Sequence, residues 1–256
     1  MNITYQTVES FLETYHSKHV NYCCSNFGGV RLAHNLIESA RDLQFPIVFF
    51  ALDEKSSEYM SQYCDVVNYY NGVSHKLKIT ENLTSEYSLW STPAFNALNW
   101  PCWEIALDIL ASGRSIIKLD TDIVIKQNFQ NELIEQLQPN QFDFIFQQAN
   151  KNRLCAGFCA VHPSSYRKLS FIFSEENLLN YDYFNIADQR ILRDMFSKGE
   201  IKIKYLDQSL YPIGLNFYEN HENIINTCKL IHFNWITNGE SAKIEKMKKH
   251  NCWFLQ

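Results

Sequence analysis

Ile116-Ile117-Lys118-Leu119-Asp120-Thr121-Asp122 is the stretch that decides the fold. An apolar run of strand length ends on two carboxylates, and side chains two apart on a strand share a face. The pair therefore projects together where a buried strand reaches solvent. Two hard oxygen ligands in that position suit Mn²⁺ or Mg²⁺. Alone, Asp-x-Asp is more often a solvated acidic turn, so its meaning depends on its surroundings.

On the N-terminal side, Val20 to Cys24 is β-prone, and Leu32, Ala33, Leu36, Ala40 and Leu43 repeat at helical spacing until Pro46. Ile47 to Leu52 is a continuous apolar run of strand length ending at Asp53. A polar helix is expected at 54–63, a strand at 65–69, and a loop or flap from Asn71 to Ser91, where no period is visible. Pro101 is expected to open a helix carrying Trp103, Ala106, Leu107 and Leu110, closed by Gly113 in a left-handed cap. This alternation predicts an α/β fold with a mixed, mainly parallel central sheet flanked by helices, whose ligands bind at the carboxyl ends of the strands. Asp53 and Asp120 stand at two such ends.

On the C-terminal side, strands are expected at 142–146, 155–161, 201–213 and 228–233, and helices at 163–173, 187–198 and 241–250. No repeat, linker or low-complexity segment interrupts the chain. Residues 1–256 are therefore expected to form one domain. Its nucleotide-binding half would span about 20–125, and its acceptor half 126–256.

The chain has 256 residues, 46% of them hydrophobic, enough to bury a full core. A net charge of −5 argues against a nucleic-acid binder held by a general basic field. Neither a signal-peptide run nor a stretch of roughly 20 apolar residues is present, so the expectation is a cytoplasmic protein with no membrane span. Its eight cysteines lie mostly in hydrophobic stretches without a C-x-x-C pair. They read as reduced, buried small hydrophobes, and Cys155-x-x-x-Cys159 reads only weakly as a zinc site. Asn2-Ile3-Thr4 and Asn82-Leu83-Thr84 are formal glycosylation sequons.

A second block gives Asp-x-Asp its context: Ile231-His232-Phe233-Asn234-Trp235-Ile236-Thr237-Asn238-Gly239-Glu240-Ser241-Ala242-Lys243. His232, ending an apolar strand, can be a third metal ligand through a neutral imidazole. Gly239 lets the backbone approach a phosphate, Ser241 is placed to cap the last helix, and Lys243 in its first turn adds a point charge. Singly, His232 would be a satisfied core histidine and Lys243 a surface lysine. Together they supply the positive groups a polyphosphate substrate needs.

Ala51-Leu52-Asp53, the segment Trp103 to Val124, Cys155-Ala156-Gly157-Phe158, Asp188-Gln189, and His232-x-Asn234 through Gly239 and Lys243 to Trp253 occur in an order that resembles the nucleotide-diphospho-sugar transferase family. The order is similar also to glycogenin-like and galactosyltransferase-like GT-A enzymes. The resemblance covers roughly residues 20 to 254. It implies a GT-A fold, a UDP-sugar or related donor, Mn²⁺ or Mg²⁺, an acceptor that is a glycan, protein or small molecule, and often a retaining outcome. By position it implies Asp120, Asp122 and His232 as metal ligands, with Asp120 alternatively on the donor's ribose and sugar. Gly239 and Lys243 would face the diphosphate, and Asp53 and the strand around Asn21 to Ser25 the nucleoside. Asp188 and Gln189 would lie beside the transferred sugar, with Gly157 allowing close backbone approach. The chain departs from the pattern at Cys102, where relatives often carry a basic residue, and at Ile213-Gly214, where they often show Asn-Gly.

Other readings stand beside this one. Asp120-Thr121-Asp122 fits the first motif of a haloacid-dehalogenase-like phosphatase, but more than a hundred residues precede it and no Asp-Asp pair follows. Gly28-Gly29-Val30-Arg31 faintly suggests a pyrophosphorylase loop, yet no lysine occurs between Arg31 and Lys55. An inactive sugar-nucleotide-binding protein would have little use for both aspartates, the histidine and the lysine. Trp90, Trp100 and Trp103 can stack on a sugar or fill the core, and Asp188 can be catalytic or merely complement a helix dipole.

Overall fold

The computed structural model describes residues 2–71, 84–137, 139, 141–150, 153–181 and 185–256. Residues 72–83, which include most of the expected flap and the Asn82 sequon's first two residues, lie outside the described residues, as do 182–184 in the loop before Asp188.

The N-terminal part alternates strand and helix: β1 (Thr4–Tyr5), α1 (Val8–Thr14), β2 (His19–Ser25), α2 (Val30–Arg41), β3 (Val48–Ala51), α3 (Glu54–Met60), β4 (Val66–Asn68), α4 (Pro93–Ala111) and β5 (Ser115–Leu119). β6 (Ile123–Ile125), α5 (Gln130–Gln136), β7 (Phe144–Asn150), β8 (Arg153–Val161), α6 (Tyr166–Ile172), α7 (Glu175–Leu179), α8 (Asp188–Ser197), β9 (Ile203–Tyr205), α9 (Gly214–Ile224), β10 (Leu230–His232) and α10 (Gly239–Lys249) follow. The main sheet has eight strands in the order β1-β4-β3-β2-β5-β8-β7-β9. Its pairs are parallel except β5 with β8 and β8 with β7. This is the α/β, mixed and mainly parallel sheet the sequence predicts.

The central strands are buried on both faces, which is why they read as continuous apolar runs. One face packs under α4, α6 and α8, where Trp100 and Trp103 are fully buried beside Phe173. The other packs under α2, with Leu36, Phe129 and Phe158 in its core. A smaller cluster around Phe217, Phe233 and Met247 seats α9 and α10 against β10.

Several expectations are corrected. α4 starts eight residues earlier than Pro101: Thr92 accepts from the Phe95 N–H and Pro93 takes the first turn, so Pro101 lies inside the helix. Gly113 does close α4 with φ +81°. The strand expected at 201–213 is only β9 plus an isolated bridge from Ile213 to His232, and α9 stands where no element was expected. α10 begins at Gly239, not at Ser241, and Asn238 at its cap makes no side-chain capping bond. Cys24 and Cys102 form a disulfide joining β2 to α4, against the expectation of eight reduced thiols. The other six cysteines are free and buried.

Candidate active site

The Asp120–Asp122 segment is a turn between two sheets and not the end of a single strand. β5 leaves the main sheet at Leu119, the Asp120 N–H donates to the Gly157 carbonyl at 2.7 Å, and the Ile123 N–H returns to the Asp120 carbonyl at 3.3 Å. The chain is thereby turned into β6, which pairs antiparallel with β10 so that His232 lies opposite Ile123. The Phe233 N–H donates to the Asp122 carbonyl at 2.8 Å. Two carboxylates and an imidazole 110 residues later in the chain converge because β10 is laid beside this turn.

Asp120, Asp122 and His232 each bring one ligand atom into a group lying within 4.8 Å of one another. His232 Nε2 is 3.1 Å from Asp122 Oδ1 and 4.0 Å from Asp120 Oδ2. Each side chain is held by its other polar atom. Lys118 Nζ donates to Asp120 Oδ1 at 2.9 Å, Lys243 Nζ to Asp122 Oδ2 at 2.6 Å, and Gln147 Oε1 lies 2.9 Å from His232 Nδ1. A methyl group on Gly157 would overlap both the His232 ring and the Asp120 carboxylate, so glycine there keeps the cluster closed. Two carboxylate oxygens and one imidazole nitrogen, each oriented from behind, are a donor set that fits Mn²⁺ or Mg²⁺.

Charge in the cluster is strongly coupled. Burial disfavours an ionised Asp122, but Lys243 and His232 override it and hold the carboxyl well below the usual range. Burial also works against a charged His232, yet the Asp122 carboxylate beside it raises its pKa above the ordinary imidazole value. Lys118, buried in β5, is kept protonated by Asp120 and Asp188 in spite of desolvation. Lys243 is not the exposed lysine expected: its side chain is 17% accessible and is paired with Asp122.

Asp188 and Gln189 are tied to the same place. Asp188, the first residue of α8, is buried and accepts from Trp103 Nε1 at 2.7 Å. Gln189 Oε1 accepts from the Ala156 N–H at 3.2 Å, and Lys118 Nζ donates to the Ala156 carbonyl at 3.1 Å. A continuous path thus runs from Asp188 and Gln189 through Ala156 and Lys118 to Asp120. Burial pushes the Asp188 carboxyl above its ordinary range, opposed by Lys118 and the indole hydrogen bond.

The remaining expected residues are placed differently. Asp53 follows β3 and caps α3, Oδ1 accepting from the Ser56 N–H and Oδ2 from the Phe27 N–H, so local bonds occupy both oxygens. Asn21 lies on β2 but toward its amino end, its amide donating to the Pro46 carbonyl and to Gln130. The structure does not bring it to the cluster. Gly239 opens α10 at φ +83°, in the left-handed region that favours glycine. Trp100 and Trp103 belong to the core, while Trp90 is 71% exposed. Lys118 and Gln147 were given no role from sequence. A lysine inside an apolar run is a visible signal, since it must find partners. Gln147 carries no comparable signal.

The nucleotide-diphospho-sugar transferase family model matches residues 43–247. The chain belongs to this family. A curated relative, the UDP-galactose:fucoside alpha-3-galactosyltransferase of Dictyostelium discoideum, is 27% identical over 178 residues, 59% of this chain and 27% of that protein. The chain thus corresponds to about a quarter of that relative's length. Among solved structures, the galactosyltransferase LgtC in complex with donor and acceptor sugar analogues aligns with a TM-score of 0.57 at 10% identity, covering 92% of this chain and 96% of that one. Mouse xyloside xylosyltransferase 1 aligns with a TM-score of 0.54 at 12% identity, covering 92% and 99%. The fold is GT-A. Among the described residues, no helix is long and apolar enough to cross a membrane.

Proposed function

We propose that this chain is a glycosyltransferase that moves a hexosyl group, galactose foremost, from a UDP-sugar to a sugar acceptor, with a divalent ion held by Asp120, Asp122 and His232. The observation that carries the reading is the arrangement of three ligand atoms, Asp120 Oδ2, Asp122 Oδ1 and His232 Nε2, on side chains whose other polar atoms are already engaged. Mn²⁺ or Mg²⁺ bound there neutralises charge building on the departing diphosphate. Lys243 has three donors, one on Asp122 and one toward the Tyr87 hydroxyl, which leaves one for an anion. Gly239 opens an eleven-residue helix whose first-turn N–H groups favour the same anion.

Asp188 and Gln189 sit beside the transferred sugar in this reading, their link to Asp120 through Ala156 and Lys118 supporting that placement. The Dictyostelium relative is named for a UDP-galactose donor and an α-linked product. That outcome is retention for an α-linked donor, and we carry it to this chain. The phosphatase reading gives way to family membership, and the intact triad favours an active enzyme over an inactive binder.

The test is donor hydrolysis with a panel of UDP-galactose, UDP-glucose, UDP-N-acetylglucosamine and GDP-mannose, each with Mn²⁺, Mg²⁺ or excess chelator. The expected result is metal-dependent release of UDP, fastest from UDP-galactose, with GDP-mannose spared. No metal-dependent hydrolysis of any UDP-sugar would remove the assignment.

A further inference from the structure

We propose that Gln147 is a positioning residue for the metal site, fixing the His232 ring with its proton on Nδ1 so that Nε2 is the nitrogen offered to a cation. The inference rests on the metal reading above and adds a residue to it.

Gln147 lies on β7 and is fully buried. Its Nε2 donates to two backbone carbonyls, Tyr211 O at 3.0 Å and Pro212 O at 2.8 Å. Both of its N–H protons are thereby used, and the orientation of the amide is set. Oε1 can only accept, and it lies 2.9 Å from His232 Nδ1, so that nitrogen must be the donor. Protonation of Nδ1 leaves Nε2 to carry the lone pair in the neutral ring, and Nε2 is the atom that faces Asp122 and Asp120.

A competing partner gives Gln147 something to oppose. Asn234 Oδ1 accepts from the Gly214 N–H at 2.8 Å, which turns its Nδ2 donor toward Cys155 Sγ at 3.5 Å and His232 Nδ1 at 3.4 Å. A donor facing Nδ1 favours the opposite tautomer, with the proton on Nε2, and that form cannot bind a cation through Nε2. Cys155 Sγ, 3.6 Å from Nδ1, is a weak partner in either role. The shorter bond from the buried amide decides the outcome. Because Pro212 O also accepts from the His232 N–H at 3.2 Å, the amide and the strand it orients share one anchor.

The test titrates Mn²⁺ into wild type and Gln147→Leu, following free ion by electron paramagnetic resonance, with ¹⁵N-histidine labelling to detect nitrogen coupling to bound Mn²⁺ in pulsed spectra. Folding is checked by thermal melts. Wild type should bind Mn²⁺ and show imidazole coupling, and the folded variant should bind about ten- to a hundred-fold more weakly with the coupling lost. A folded variant with unchanged affinity and coupling overturns the role of Gln147 alone. Wild type without Mn²⁺ binding overturns the metal reading and this inference with it. A second measurement needs no variant: in Zn²⁺-loaded, ¹⁵N-histidine-labelled wild type, the buried His232 ring should show its proton on Nδ1, and a proton on Nε2 would refute the proposal.

Discussion

Asp122 and Asp188 are both buried carboxylates, yet they are held in opposite ways. Asp122 is clasped between Lys243 and His232, and the two cations keep it ionised against desolvation. Asp188 has one indole N–H and one backbone N–H as donors and, among the described residues, Lys118 as the cation opposing burial, so burial prevails and its carboxyl is raised. The first is a fixed charge, which suits a metal ligand. The second is weakly compensated, which suits a group that strengthens its hydrogen bonds as charge develops on a sugar. One lysine, Lys118, joins the two regions, donating to Asp120 beside Asp122 and acting on Asp188.

Substitutions can break this contrast. Asp122→Ala should abolish Mn²⁺ binding and lower donor hydrolysis by roughly 10³-fold, about 4 kcal/mol, because ligand and counter-charge are lost together. Measured turnover near wild type would make Asp122 an ordinary ion-pair partner. Lys118→Met should cost about 3 kcal/mol of stability in urea melts, since Asp120 loses its buried partner and Asp188 its nearby cation. A cost under about 1 kcal/mol would mean that the lysine charge is not needed by either region.

Asp188→Asn should lower turnover about ten- to fifty-fold with UDP affinity unchanged, because its contacts are to groups away from the diphosphate side. Equal loss of UDP binding would erase the distinction between the two carboxylates. The smallest effect is a pH slope. A folded carboxyl with a raised pKa takes up a proton before the unfolded chain does, so wild type should gain stability relative to Asp188→Asn as pH falls from neutral toward the ordinary carboxylate range. Asp122, held below the ordinary range, contributes stability lost only as pH falls beneath that range, but Asp122→Asn also strips buried His232 of the carboxylate that raises it, so the wild-type advantage over this variant should widen as pH falls through the ordinary histidine range. Parallel melts of both variants check the sign.

The contrast also marks what the sequence reveals. The apolar strand ending in Asp-x-Asp, and the later His-to-Lys block, place the carboxyl edge and the triad, because charged groups closing hydrophobic runs are visible one residue at a time. The sequence does not show that Asp120 to Asp122 form a turn between sheets, since β6 pairs with a strand more than 100 residues later. Asn21 is assigned to the nucleoside by resemblance alone, and its bonds to the Pro46 carbonyl and Gln130 are not legible in the sequence. The Lys243–Asp122 pair, the Gln147–His232 contact and the Cys24–Cys102 bond all join residues 78 or more positions apart. No local pattern announces such pairings.

The central claim is that the Asp120, Asp122 and His232 cluster holds a divalent ion through which the chain binds the donor's diphosphate. Calorimetric titration of UDP into the wild-type protein, with Mn²⁺ and then with excess chelator, tests it most directly. Binding that appears with Mn²⁺ and falls below detection in chelator is the predicted result, and equal affinity in both conditions would contradict it.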